Sequence, residues 1–169
     1  LSSKYKILAP WKRPKNLCAD NTPSYKAVIH AYDWFKKNYF AVDGIFILQP
    51  TSPFRTKKTV NQMVKIFKKN LKKSVVSVSP ISEHHEWSVS IKNNRMNRIS
   101  SINYFNKGSQ KLKKLFKING LGYLLSPKIL KKEKTLVPKN SIPYLCKSRI
   151  ETIDINDIND LRLARAIKK

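Results

Sequence analysis

Cysteine and glycine are both scarce in this chain, and each scarcity excludes a kind of site. The 169 residues include two cysteines and four glycines. Cys18 and Cys146 lie far apart and match no metal-binding or redox spacing, so we interpret them as free thiols in a reducing cytoplasm. The four glycines form no glycine-rich phosphate-binding loop.

Long apolar runs are also absent. No stretch approaches the roughly 20 apolar residues that span a bilayer, and the segment LSSKYKILAP lacks the pattern of a signal peptide. The sequence therefore predicts a soluble cytoplasmic protein that has no membrane partner.

Acidic residues are few, so the chain is strongly basic. Lys and Arg number 35 against ten Asp and Glu, which gives a formal net charge of +25. Such a charge is typical of nucleic-acid binding. However, 28 of the basic residues are Lys, whereas base readout and bidentate phosphate contacts favour Arg. We therefore predict that the chain has no nucleic-acid partner. The less favoured alternative is that it is a basic nucleic-acid-binding module.

The first half of the chain has the periodicity of an α/β protein. Its length and 41% hydrophobic content suit one domain with a hydrophobic core. Apolar spacing predicts helices at residues 24–38 and 56–69, and short apolar runs predict buried strands at residues 44–49 and 74–79. A strand, a helix and a strand within about 35 residues form a βαβ unit, which implies a parallel sheet.

The second half is less regular. WSVSIKNNRMNRIS predicts a hairpin around Asn93 and Asn94, and residues 101–114 predict an excursion from the main sheet. GLGYLLS is typical of a strand. The C-terminal segment IETIDINDINDLRLARAIKK predicts a short strand, a turn and a final helix.

The segment LQPTSPFR follows the first predicted strand. In open parallel sheets, ligands bind outside the carboxyl ends of the strands. Its two prolines restrict the backbone, so Gln49, Thr51 and Ser52 can present hydrogen-bonding groups in a fixed arrangement. An equal alternative is a strand-to-helix turn in which Ser52 or Thr56 caps the helix.

The segment IDINDINDL contains three of the six aspartates of the chain. Asp154 ends an apolar run, where a carboxylate can hold Mg²⁺ against substrate phosphates. The alternative is helix capping, with Asn156 or Asp157 as N-cap and Asp160 in the first turn. We assign a functional role to Asp154 and structural roles to Asp157 and Asp160.

Five segments together, in order, resemble one family. They are RPKNLCAD, LQPTSPFR, SVVSVSPISEHHEW, INGLGYLL and IDINDINDL. They resemble the acylneuraminate cytidylyltransferase (CMP-sialic acid synthetase) family over nearly the whole chain, and LQPTSPFR is the most specific match. The resemblance implies a three-layer Rossmann-like nucleotidyltransferase fold with a mostly parallel sheet. It also implies a single domain over residues 1–169 with a dimerisation excursion at about residues 80–116.

The resemblance implies transfer of CMP from CTP to an acidic nonulosonic sugar, of the neuraminic, legionaminic or pseudaminic type. The products would be a CMP-sugar for surface glycan synthesis and pyrophosphate. Arg13 would lie near the nucleotide, and Gln49 would contact the sugar or the nucleotide. The implied substrate-binding residues are Arg13, Gln49, Thr51, Ser52, Lys117 and Asn119.

The resemblance further implies a homodimer and a Mg²⁺ cofactor, with Asp154 as the catalytic metal ligand. The second metal position falls on Asn156, where the family has an aspartate, and Lys117 stands where the family has an arginine. The chain would also begin one βαβ unit late, without the glycine-rich basic loop that wraps the triphosphate. These departures keep open an inactive truncated relative or a non-catalytic subunit.

Overall fold

The computed structural model describes residues 10–70, 73–81, 83–106, 108, 110 and 113–168. Within these ranges the chain forms six strands and five α-helices. The strands are β1 (Ile45–Ile47), β2 (Val75–Pro80), β3 (Val89–Lys92), β4 (Arg95–Arg98), β5 (Phe116–Leu125) and β6 (Ile142–Leu145). The helices are α1 (Ser24–Asn38), α2 (Lys57–Lys69), α3 (Ile102–Phe105), α4 (Pro127–Glu133) and α5 (Ile158–Ile167).

The main sheet has the strand order β1–β5–β2–β6. β5 runs antiparallel to both β1 and β2, whereas β2 and β6 are parallel. Three of the four strands therefore run in the same direction, and the α/β class is confirmed. The predicted βαβ unit is present as β1–α2–β2, but β5 lies between its two parallel strands.

The hydrophobic core lies on both faces of this sheet. Met63 and Phe67 of α2 pack with Val75 and Leu124 on one face. On the other face, Leu130 of α4 packs in a second cluster with the alternate strand residues, and side chains of α1 border it. Because neighbouring strand residues point to opposite faces, the two clusters make three layers, with helices on both sides of the sheet.

Most locally determined elements have the expected bounds. α1 covers the predicted residues 24–38, and α2 begins one residue later than predicted because Thr56 is its N-cap. The hairpin of β3 and β4 turns at Asn93 and Asn94, whose φ angles of 51° and 56° match a type I′ turn. Part of the predicted excursion, residues 107, 109, 111 and 112, lies outside the described residues.

The strand predicted before Asp154 was wrong. The segment is irregular, and its backbone crosses the carboxyl end of β1, where the Ile155 N–H donates to the Thr51 carbonyl at 2.9 Å. The fourth strand of the sheet is instead β6, which the sequence analysis did not predict. It contains Pro143, which is typical of an edge strand, and β6 is at the edge of the described sheet.

None of the helices in the described ranges is both long enough and apolar enough to cross a membrane.

Candidate functional site

The backbone of β5 forms a bulge where it passes β2. The register shifts so that residues 119–122 of β5 lie opposite Ser77 alone. The Ser77 hydroxyl accepts from the Gly122 N–H at 2.9 Å and donates to the Gly122 carbonyl at 3.1 Å. The Asn119 Oδ1 accepts from the Leu121 N–H at 3.3 Å. Side chains thus replace the missing ladder bonds, and bulges of this kind commonly re-aim side chains next to functional sites.

Arg55 links this bulge to the segment that follows β1. Its Nη2 donates to the Gln49 carbonyl at 2.7 Å, and its Nε donates to the Leu121 carbonyl. Partial burial lowers the pKa of the Arg55 guanidinium from its usual value. The LQPTSPFR segment therefore contacts β5 through its own last residue.

The side chain of Gln49 lies directly against Gly120. A Cβ atom at position 120 would stand 2.5 Å from Gln49 Oε1 and 3.7 Å from Ser52 Oγ. Gly120 also has a φ of 73°, in the left-handed region that favours glycine. The structure therefore brings Gln49 and Ser52 together with the bulge that carries Asn119.

The alternative roles of Ser52 and Thr56 are now resolved. Thr56 Oγ1 accepts from the Thr59 N–H at 3.2 Å and caps α2. Ser52 Oγ is buried and has no hydrogen-bond partner among the described residues. Ser52 is therefore not the capping residue.

The segment that carries Asp154 is fixed to the same edge of the sheet. Ile155 bonds to Thr51, as described above, and Glu151 Oε2 accepts from the Thr59 hydroxyl at the start of α2. Burial and the negative charge of Asp154 together raise the pKa of the Tyr123 hydroxyl on β5.

Asp157 and Asp160 form a reciprocal capping box at the start of α5. Asp157 Oδ1 accepts from the N–H groups of Asn159 and Asp160, at 2.7 and 2.9 Å. Asp160 Oδ2 accepts from the N–H groups of Asn156 and Asp157, at 2.9 and 3.2 Å. These contacts match the structural roles predicted for the two aspartates, and Asp154 takes no part in the cap.

Several buried polar atoms near this edge have no partner among the described residues. They are Ser52 Oγ, Asn119 Nδ2, Asp154 Oδ1 and Ser79 Oγ. The Ser52 and Asn119 side chains are only 3% and 6% exposed. Buried polar groups in folded proteins are nearly always paired, so these atoms are available to bond a polar ligand.

The remaining predicted site residues are Arg13, Lys117 and Asn156. Arg13 and Gln49 both line a cavity of about 700 Å³ between α1 and β1, whose walls are mainly apolar and aromatic. Lys117 is exposed on β5, where it pairs with Ser79 of β2. Asn156 Nδ2 donates to Asp154 Oδ2 at 3.4 Å.

Sequence reasoning missed four residues that shape this edge: Arg55, Ser77, Ser79 and Gly120. Ser77 and Ser79 carried a signal, since they are polar positions inside a run that was otherwise read as a buried strand. The role of Arg55 depends on a carbonyl 66 residues away, which no local pattern indicates.

One carboxylate at this edge of the sheet could hold a hard cation. Within the described ranges, no three His, Cys, Asp or Glu side chains are grouped as a metal site would require. Asp154 nevertheless offers a buried carboxylate oxygen without a partner. Mg²⁺ is often held by one or two carboxylates together with substrate phosphates, so a single carboxylate is compatible with it.

Comparison with known proteins finds a curated relative that matches nearly the whole chain. This relative, the CMP-N,N'-diacetyllegionaminic acid synthase of Legionella pneumophila, is 31% identical over 169 residues. The match covers 97% of this chain and 70% of the relative. No family profile matches the chain.

Gly120→Ala should destabilise the protein by about 1–2 kcal/mol, because alanine at a positive φ is strained. It should also displace Gln49, whose Oε1 occupies the space of the new methyl group. Urea unfolding measures the loss. Gly108→Ala is the matched control, since a Cβ there meets nothing within 4 Å. Equal stability of the two variants would contradict the close approach of Gln49.

Asp157→Ala should lower the free energy of unfolding by about 1 kcal/mol, because the N-cap of α5 is lost. Asp154→Asn should leave it unchanged or raise it, because an unpaired buried carboxylate oxygen destabilises the fold. Urea unfolding of both variants at neutral pH measures the difference. If Asp154→Asn lowered the free energy of unfolding as much as Asp157→Ala does, Asp154 would have a structural role.

Proposed function

Because the chain belongs to the acylneuraminate cytidylyltransferase (CMP-sialic acid synthetase-like) family, we propose that it transfers CMP from CTP to an acidic nonulosonic sugar. The sugar is of the neuraminic, legionaminic or pseudaminic type, and pyrophosphate is the second product. The name of the Legionella relative supports a CMP-sugar as the product.

The structural observation that carries the proposal is the group of unpaired polar atoms at the carboxyl end of β1. Asn119 Nδ2 is a donor, Asp154 Oδ1 is an acceptor and Ser52 Oγ can act as either. A sugar with several hydroxyl groups and a carboxylate needs donors and acceptors in close proximity. Gln49 borders both this group and the cavity that Arg13 lines, so one residue adjoins both proposed substrate regions.

The proposal includes Mg²⁺, which when bound would neutralise phosphate charge and favour displacement of pyrophosphate. Asp154 would hold it, and Asn156, at the second metal position, would be a neutral and weaker ligand beside Asp154. The residues of the chain itself would bind and orient the substrates. Ser52 and Asn119 would hold the sugar by hydrogen bonds, and Lys117 would add positive charge near Asn119.

A cytoplasmic homodimer is a further part of the proposal. Ile91 and Met96 are directly paired across the β3–β4 hairpin and are 78% and 72% exposed. Ile99, at the end of the hairpin, is also exposed. Paired exposed apolar side chains of this size favour a protein interface, and a second copy of the chain would cover them.

Purified protein incubated with Mg²⁺, CTP and each of the three nonulosonic acids should release pyrophosphate only when a sugar is present. Asp154→Asn should lower kcat/KM by about 100-fold or more, since a charged ligand to the metal is lost. Asn156→Asp should raise the activity or the affinity for Mg²⁺. Pyrophosphate release is followed by a coupled assay, and chelation of Mg²⁺ should stop it.

The matched control is Asp33→Asn, which removes an exposed carboxylate of α1 that pairs with Lys131. It should have wild-type activity. Absence of sugar-dependent pyrophosphate release with all three acids would contradict the catalytic proposal and favour a non-catalytic relative. No gain from Asn156→Asp would contradict the metal-ligand role of position 156.

Ile91→Lys combined with Met96→Lys should dissociate the proposed dimer, because two charges would have to be buried in the interface. Sedimentation velocity should give twice the 19.6 kDa of the chain for the wild type and a single chain for the variant. Leu163→Lys, at an exposed apolar position of α5, is the control. A monomeric wild type would exclude the dimer.

A further inference from the structure

Arg55 joins the two segments that carry the proposed ligand-binding groups. We propose that Arg55 is a positioning residue, whose guanidinium holds the Gln49 segment and the β5 bulge in a fixed relation. This inference rests on the proposed function for its kinetic consequence, but its structural content is independent of activity.

The ladder between β1 and β5 ends before it reaches the two carbonyls that Arg55 binds. Its last pair is Ile47 and Tyr123. If the ladder continued in the same register, Gln49 would lie opposite Leu121. The carbonyls of these two residues are the ones that accept from Arg55. The guanidinium therefore connects the two strands beyond the point where their ladder ends.

The geometry requires arginine in particular. The guanidinium is planar and places Nε and Nη2 on one side in a fixed arrangement, so a single group can serve two carbonyls. A lysine ammonium is a point charge on a flexible chain and lacks this arrangement. Arg55 forms no ion pair within the described part of the chain. Its guanidinium instead donates hydrogen bonds to the two backbone carbonyls.

The bond to Leu121 matters because it falls inside the bulge. The Leu121 N–H bonds to Asn119 Oδ1, and Arg55 holds the carbonyl of the same residue. Arg55 therefore acts on Asn119 through one residue. Its bond to Gln49 keeps that backbone where the side chain contacts Gly120. Loss of Arg55 would release both sides of the sugar-binding region at once.

The test compares Arg55→Met and Arg55→Lys with Arg165→Met, an exposed arginine of α5. NMR-detected hydrogen exchange of the unliganded proteins reports on the bulge. In both Arg55 variants the amides of Leu121 and Gly122 should exchange about tenfold faster or more, because local opening becomes easier. Amides in α1 should keep their wild-type rates, and Arg165→Met should match the wild type throughout.

Steady-state kinetics supply the second measurement. Both Arg55 variants should raise KM for the sugar about tenfold or more while kcat changes much less, because the groups that bind sugar are misplaced. Arg55→Lys should not restore the wild-type KM, although it keeps the charge.

Unchanged exchange of Leu121 and Gly122 in the Arg55 variants would overturn the inference, and so would full rescue by lysine. If Arg55→Met does not fold, the exchange rates of Arg55→Lys test the inference. If neither variant folds, Arg55 is required for folding and the inference fails. A wild type without turnover would count against the proposed function alone, because the exchange rates still decide the positioning role.

Discussion

The departure of β5 from its ladder at residues 119–122 is the constraint on which the carboxyl edge of the sheet depends. An undistorted strand would bond its backbone to β2 and leave no space for a side chain against it. Here Ser77 and Arg55 take over backbone groups of the bulge, and Gly120 adopts a positive φ. Gln49 can therefore lie on the strand, and Asn119 is buried with its Nδ2 unpaired.

The aspartates near the start of α5 differ in their hydrogen bonding. One carboxylate oxygen of Asp157 and one of Asp160 each accept two backbone N–H groups, and these bonds stabilise the start of α5. Asp154 lies only three residues before them and retains a buried oxygen without a partner among the described residues. A chain with 35 basic residues has many cations that could pair with it. Groups left unsatisfied at a cost in stability are characteristic of functional sites.

Local chemistry accounts for most of what could be predicted. Apolar spacing was sufficient for α1 and α2, and two adjacent asparagines were sufficient for the hairpin turn. β6 was missed because Pro143 argues against a strand, and only the edge position next to β2 makes it acceptable. The strand before Asp154 was predicted from an apolar run, but among the described residues no strand pairs with that segment. Isolated apolar runs do not specify their partners.

The sequence by itself determined α1, α2 and α5, the capping role of the aspartates at α5, the α/β class and the segments that the family shares, because each depends on residues close together in the chain. The tertiary structure alone decided that β5 enters between β1 and β2 and that Arg55 reaches Leu121. It also decided that Gln49 rests on Gly120. These relations join residues 66 and 71 positions apart, and no periodicity along the chain encodes contacts at that separation.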